Sequence, residues 1–429
     1  MFNQNGLSLD QAPPISVVFR FFFVGALFGI FAGISIIFYG VEIFDTASTA
    51  AVTFTHFLTL GVMLSFMFAA LFQMLPVIAG VSLTSPIQKA NLLLYPFVLG
   101  IVSLLFAFNM PRASWLFIAA SVFLGVSLMA ILFVMLKNLL ALEHHTTSSK
   151  GMTYALFSLV FVLLLALYMT FSLGGLSEGT YYLQVKEAHY SFGLYGWIAL
   201  LIIAISFQVI EMFYVTPAYP DLISKHLPKV LFFLLLVASI LALFIPHVWF
   251  ISDILLILML GAYATITLKR LTQRKRPLTD ATVWFWRMGL TSLLLSLLSM
   301  AITLFTTLEI FKALSAIFFA SFALSIVFAM FYKIVPFLTW FHLNSQGYFT
   351  APMMHEVIHP KTAKKHLYIH VLTILTFLIS LAVPPFIFAA GVLSILSFGW
   401  VAYQVVHAYI LYVNTQKNGE KFSMDMGQS

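Results

Sequence analysis

The sequence contains no cysteine. That absence excludes disulfides, thiolate catalysis, iron–sulfur clusters and cysteine-type zinc sites, so any bound metal must use histidine, methionine, carboxylate or backbone ligands. Charge is nearly as scarce: 8% of the 429 residues are Asp, Glu, Lys or Arg, against roughly a quarter in soluble domains. A soluble globular fold is therefore excluded. What fills the space is apolar, 62% hydrophobic with 46 phenylalanines, the composition of a polytopic membrane protein bathed in a lipid bilayer. The excess of 21 Lys and Arg over 14 Asp and Glu is explained first by membrane orientation, and it implies no nucleic-acid partner.

Apolar runs long enough to cross a membrane fall at about 17–42, 52–79, 88–108, 113–137, 152–175, 187–214, 228–245, 248–268, 281–305, 309–337, 367–383 and 386–413. Turn residues separate them, including Pro86, Pro217, Pro220, Pro246, Pro277 and Pro384-Pro385. The first 14 residues carry no basic segment and no cleavage pattern, so the run from Val17 is expected to be a retained first span. The expected fold is an all-α integral membrane protein with twelve transmembrane helices. With twelve spans both termini share a side, and most basic residues share it with them. Arg112, Lys186 and Lys312 alone lie opposite. The positive-inside rule then makes both termini cytoplasmic, in a bacterial-type inner membrane.

An internal echo organises the chain. Thr55-His-Phe-Leu-Thr-Leu-Gly61 runs on to Leu71-Phe-Gln-Met-Leu-Pro76, and Ala188-His-Tyr-Ser-Phe-Gly193 runs on to Ser206-Phe-Gln-Val-Ile-Glu211. His56 to Gln73 covers about 25 Å of helix, and His189 to Gln208 about 29 Å, at ~1.5 Å per residue. A fainter copy, Met330-Phe-Tyr-Lys-Ile-Val-Pro336, puts Lys333 near the place of the glutamine and has no matching histidine upstream. These spans are four apart, so the chain reads as one polytopic domain, 1–429, in three pseudo-repeated four-helix units of about 17–137, 152–268 and 281–413. Membrane orientation then sets His56 and His189 near the outer face.

In these features the chain resembles subunit I of the haem-copper oxidase superfamily, whose members include terminal oxidases and nitric oxide reductases; it is also similar to twelve-span proteins of the NnrS type. The resemblance implies twelve helices in three arcs, haem and copper as cofactors, respiratory electron transfer or nitric oxide and oxygen handling, a quinol or cytochrome electron donor, and further respiratory subunits. Carried over by position, His56 corresponds to a haem ligand on the second helix, and His189 to a copper ligand on the sixth. His247, in Ile245-Pro-His-Val-Trp249, corresponds to one of a copper-binding pair whose second member is replaced by Val248. The tenth span has no histidine between Glu309 and Pro336, so the haem ligands of that helix are missing and the chain departs from an oxygen-reducing centre.

Other chemistry stays open at this point. Gln73, Gln208, Glu211 and Lys333 lie in the inner thirds of their helices, as a polar relay or as structural hydrogen bonding. His355-Glu-Val-Ile-His359 matches the H-E-x-x-H zinc motif, in which Glu356 would be the base, but Pro360 biases His359 away from helical geometry. His342, His355, His359, His366, His370 and His407 are assigned to the cytoplasmic side, the first five to a solvated basic region. A multi-span transporter or metal-handling permease, a haem-free accessory subunit and a membrane zinc protease are the competing functions.

Overall fold

The computed structural model describes residues 12–421 apart from 82, 246 and 277–279, so Pro246 and Pro277 lie outside the described residues. In chain order the long helices are α1 Ile15–Phe44, α2 Thr49–Ala79, α3 Pro86–Asn109, α4 Trp115–Leu140, α5 Thr147–Leu173, α6 Tyr182–Tyr214, α7 Leu222–Leu241, α8 Val248–Thr272, α9 Ala281–Thr303, α10 Glu309–Ser345, α11 Pro360–Ser380 and α12 Phe386–Asn418. Eleven of them, all but α11, are long and apolar enough to cross a membrane. The chain is an all-α, multi-pass membrane protein. Helix α11 has 21 residues but falls short in apolarity, because its first turns carry Lys361, Lys364, Lys365 and His366.

The termini of these helices follow local chemistry. Ser48 and Thr146 accept hydrogen bonds from the amides of Ala51 and Ser149, capping α2 and α5. Asp280 accepts from the amides of Thr282 and Val283 at the start of α9. Gly80 takes the left-handed conformation that ends α2, at φ 70°.

Burial sorts the helices into layers. The most apolar stretches of α2, α6 and α10 are 89%, 78% and 61% buried, more than in any other helix. These three form the inner layer, and ring contacts join them pairwise: Phe68 to Trp197, Tyr195 to Phe319 and Phe66 to Phe328. The outer layer closes where α12 packs back along α1. There the helices approach backbone to backbone, since a Cβ built on Gly391 would lie 3.0 Å from the Gly33 carbonyl oxygen. Gly391→Leu is expected to push the two apart and cost about 1–3 kcal/mol, read as a lower melting temperature in detergent.

One irregularity recurs. In α2 the eight residues Phe57–Leu64, immediately after His56, are π-helical, and in α6 so are the eight residues Phe192–Ala199, which begin three positions after His189. No such segment interrupts α10. A π segment holds an extra residue per turn and shifts the phase of everything beyond it, which is why such bulges cluster at functional sites.

Candidate functional site

A histidine precedes each of these two π segments. His56 ends the α-helical opening of α2, and its Nδ1 lies 2.8 Å from the Val52 carbonyl one turn back. His189 on α6 places its Nδ1 3.2 Å from the Val162 carbonyl of α5. A carbonyl oxygen only accepts, so in both rings Nδ1 carries the proton and Nε2 keeps its lone pair. Neither Nε2 has a hydrogen-bond partner among the described residues. Both rings are half-buried, and Phe108 from α3 packs 5.1 Å from His56.

The two imidazoles lie together, with centroids 6.4 Å apart and ring planes 16° from parallel. Two metal–nitrogen bonds of about 2.0–2.1 Å, plus the radius of an imidazole on each side, come to roughly this separation. Near-parallel rings, each with Nδ1 tied to a carbonyl, are two oriented imidazole donors of the kind that metal sites use. No third His, Asp or Glu joins them in a metal-binding group among the described residues. Two lone pairs leave a bare ion underfilled but suit iron in a porphyrin, which brings four nitrogens of its own.

The sequence assigned His56 and His189 to different metals, whereas the structure sets them side by side. His247 is at the same end of the bundle, since Trp249 clusters with Ala188 beside His189, but its ring is exposed and stands outside the pair.

The inner-end candidates have separate environments. Lys333 is 2.6 Å from Asp280, with its ammonium 5.6 Å from the Tyr214 ring. Glu211 Oε1 accepts from the Tyr219 amide at 3.0 Å, anchoring the loop after α6. Gln208 is half-buried. Gln73 is 3% exposed, and neither its amide nitrogen nor its oxygen has a partner among the described residues. Lys333 and Glu211 thus hold neighbouring segments in place, and no direct hydrogen bond joins either to the two glutamines among the described residues.

Burial raises the Asp280 carboxyl, but Lys333 and the hydrogen bonds from Thr282 and Val283 outweigh it and hold the group below its ordinary 3.8. A depressed acid favours the folded state above its unfolded value, and that contribution is lost as pH falls through the folded one. Asp280→Ala is therefore expected to cost about 1–3 kcal/mol near neutrality, through the lost cap and counter-ion. The difference from wild type should shrink below about pH 4 in melts recorded across pH.

The H-E-x-x-H stretch does not form one helical face. A single turn, Met354–Val357, ends before Ile358, which is extended, and His359 is extended too, as Pro360 predicts. Glu356 accepts from the Met353 amide and His359 Nδ1 from the Lys361 amide, so both act as caps. Two other histidines correct the sequence reading, which left them in the solvated cytoplasmic region. His366 and His370 are 0% and 2% exposed inside the bundle, because α11 starts at Pro360, seven residues earlier than its apolar run. His366 Nε2 is 2.8 Å from Ser397 Oγ, His370 Nε2 is 3.0 Å from Ser325 Oγ, and Phe285 and Phe328 flank both rings. The missed signal was periodic: Ala363, His366, Leu367, His370 and Ile374 lie on one helical stripe.

No protein-family model matches the chain, and no curated protein is significantly similar to it in sequence.

Proposed function

We propose that this chain is a haem-binding membrane protein of haem-copper oxidase subunit I type, in which His56 and His189 would together hold one haem, serving respiratory electron transfer. The observation that carries the reading is the pair itself: near-parallel rings 6.4 Å apart, each with Nε2 unpartnered and Nδ1 bonded to a carbonyl. Haem held there supplies a one-electron couple. The residues do the rest: the Val52 and Val162 carbonyls orient the imidazoles and raise their basicity, while Phe108 keeps water from one flank. Two histidines committed to one group would favour electron transfer over oxygen or nitric oxide binding.

The finer architecture belongs to the same proposal. Twelve spans, with α11 as the eleventh, form three four-helix units whose second helices are α2, α6 and α10, in a bacterial-type inner membrane with both termini cytoplasmic. The equal spacing of the three most buried helices supports it. A cytochrome or quinol is the electron donor.

The test is an absorption spectrum of the detergent-purified protein, oxidised and dithionite-reduced, with metal analysis on the same sample. A Soret band that sharpens on reduction, with about one iron per chain, is the expected result. A second reading, a single copper ion bridging the same two histidines, predicts copper in place of iron and no Soret band. A colourless, metal-free preparation from cells amply supplied with haem would sink both.

A further inference from the structure

Helix α9 holds an arginine that the protein itself leaves uncompensated. Arg287 lies past the first turn of the helix, about 9 Å from its start at Ala281 at ~1.5 Å per residue. Among the described residues no hydrogen bond or ion pair reaches its guanidinium, and its contact is the ring face of Trp284, 5.0 Å away. Trp284 is one turn nearer the helix start, so the cation is drawn back toward the membrane surface at the end of the bundle where α8 meets α9. A guanidinium keeps its charge at that depth and calls for an anion.

The chain offers none. From Ile254 to Leu308 the acidic residue is Asp280 alone, already paired with Lys333 at 2.6 Å. Against it stand Lys269, Arg270, Arg274, Lys275, Arg276 and Arg287. The basic segment is fixed to the bundle, since the Lys275 amide donates to the Val215 carbonyl beyond α6 at 3.1 Å, and Lys269, Lys275 and Arg276 are exposed. Trp284 is 51% exposed, and with Met288, Thr291, Leu295 and Leu298 it makes one outward stripe along α9. Positive charge thus sits at the surface end of an uncovered apolar strip. An acidic soluble protein could meet the charge but could not follow the strip into the hydrocarbon. A free phosphate would use the charge and leave the strip idle.

We propose that Arg287, Trp284 and the basic segment 269–276 form a binding site for an anionic phospholipid, with the guanidinium on its phosphate and an acyl chain along the outward stripe of α9. Arginine suits this role because its planar fork can give two parallel hydrogen bonds to one phosphate while its face rests on an indole. The surrounding lysines and arginines select a headgroup with net negative charge over a zwitterionic one.

The experiment is native mass spectrometry of the detergent-purified full-length chain, titrated with phosphatidylglycerol or with phosphatidylcholine of the same acyl chains. One phosphatidylglycerol is expected to bind about tenfold more tightly than phosphatidylcholine. Arg287→Ala, and Arg287→Gln, which keeps a longer stem without the charge, should each bring the two lipids within about twofold. Arg287→Lys should fall between, because it keeps the charge and loses the fork. Arg112→Ala, in the loop between α3 and α4 at the opposite end of the bundle, should leave the preference unchanged. Equal affinity for the two lipids in wild type, an undiminished preference in both Arg287→Ala and Arg287→Gln, or displacement of phosphatidylglycerol by inorganic phosphate would each overturn the proposal.

Discussion

His56→Ala and His189→Ala are each expected to lower haem content more than tenfold, and the double variant should be colourless. The argument is geometric. Each imidazole would supply one of the two nitrogens that hold the group, from a ring already fixed by its carbonyl, so removing either takes away half of the donor set and leaves the other ring's hydrogen bond intact. Haem that remained in a single variant would be held by one imidazole, and carbon monoxide should then shift its reduced spectrum, a shift expected to be absent in wild type. His247→Ala should change neither content nor spectrum, because its ring stands apart from the pair. An unaltered Soret band in both single variants would remove the proposed site.

Inserting one Ala after Leu64 of α2 should have an effect of comparable size by a different route. Leu64 ends the π-helical stretch Phe57–Leu64, so the added residue falls between His56 and the other half of the helix. At 3.6 residues per turn, one extra residue rotates the two halves by about 100°. The half beyond Leu64 is held by aromatic contacts to α1, α6 and α10, so the half that carries His56 must turn. His56 then swings away from His189. Haem content is expected to fall at least tenfold with helical content by circular dichroism unchanged. Deleting Thr59 from within the π stretch should cost much less haem, because relaxation to the tighter α winding restores most of the rotation that the lost residue removes.

Much of this was legible in the sequence, because membrane solvation writes strong signals. Hydropathy located the spans from α1 to α10 to within about eight residues at each end, and the spacing of His56 and His189 from their Phe-Gln pairs set both at one depth. The contact between them was not legible. It depends on the phase of two π segments, and an extra residue in an all-apolar run changes no period that a reader can see. His366 was misplaced because three lysines precede the apolar part of α11 and charge masked a helix that Pro360 had already started, whereas His370 lies inside the apolar run and was grouped with the loop histidines all the same. The Asp280–Lys333 pair was hidden for another reason: Asp280 lies outside the apolar runs, and nothing local in the sequence joins it to α10.

The tie of His56 and His189 to neighbouring carbonyls carries a consequence for biogenesis. A chain without cysteine has no covalent means of fastening α2 to α6, which are made far apart in time during synthesis. A cofactor gripped from both sides would act as that fastener, joining the first third of the polypeptide to the middle third, and anything that binds only the folded state raises its stability by mass action. Chains made in haem-starved cells would then lack the clasp and be cleared by membrane proteases sooner than chains made in haem-replete ones.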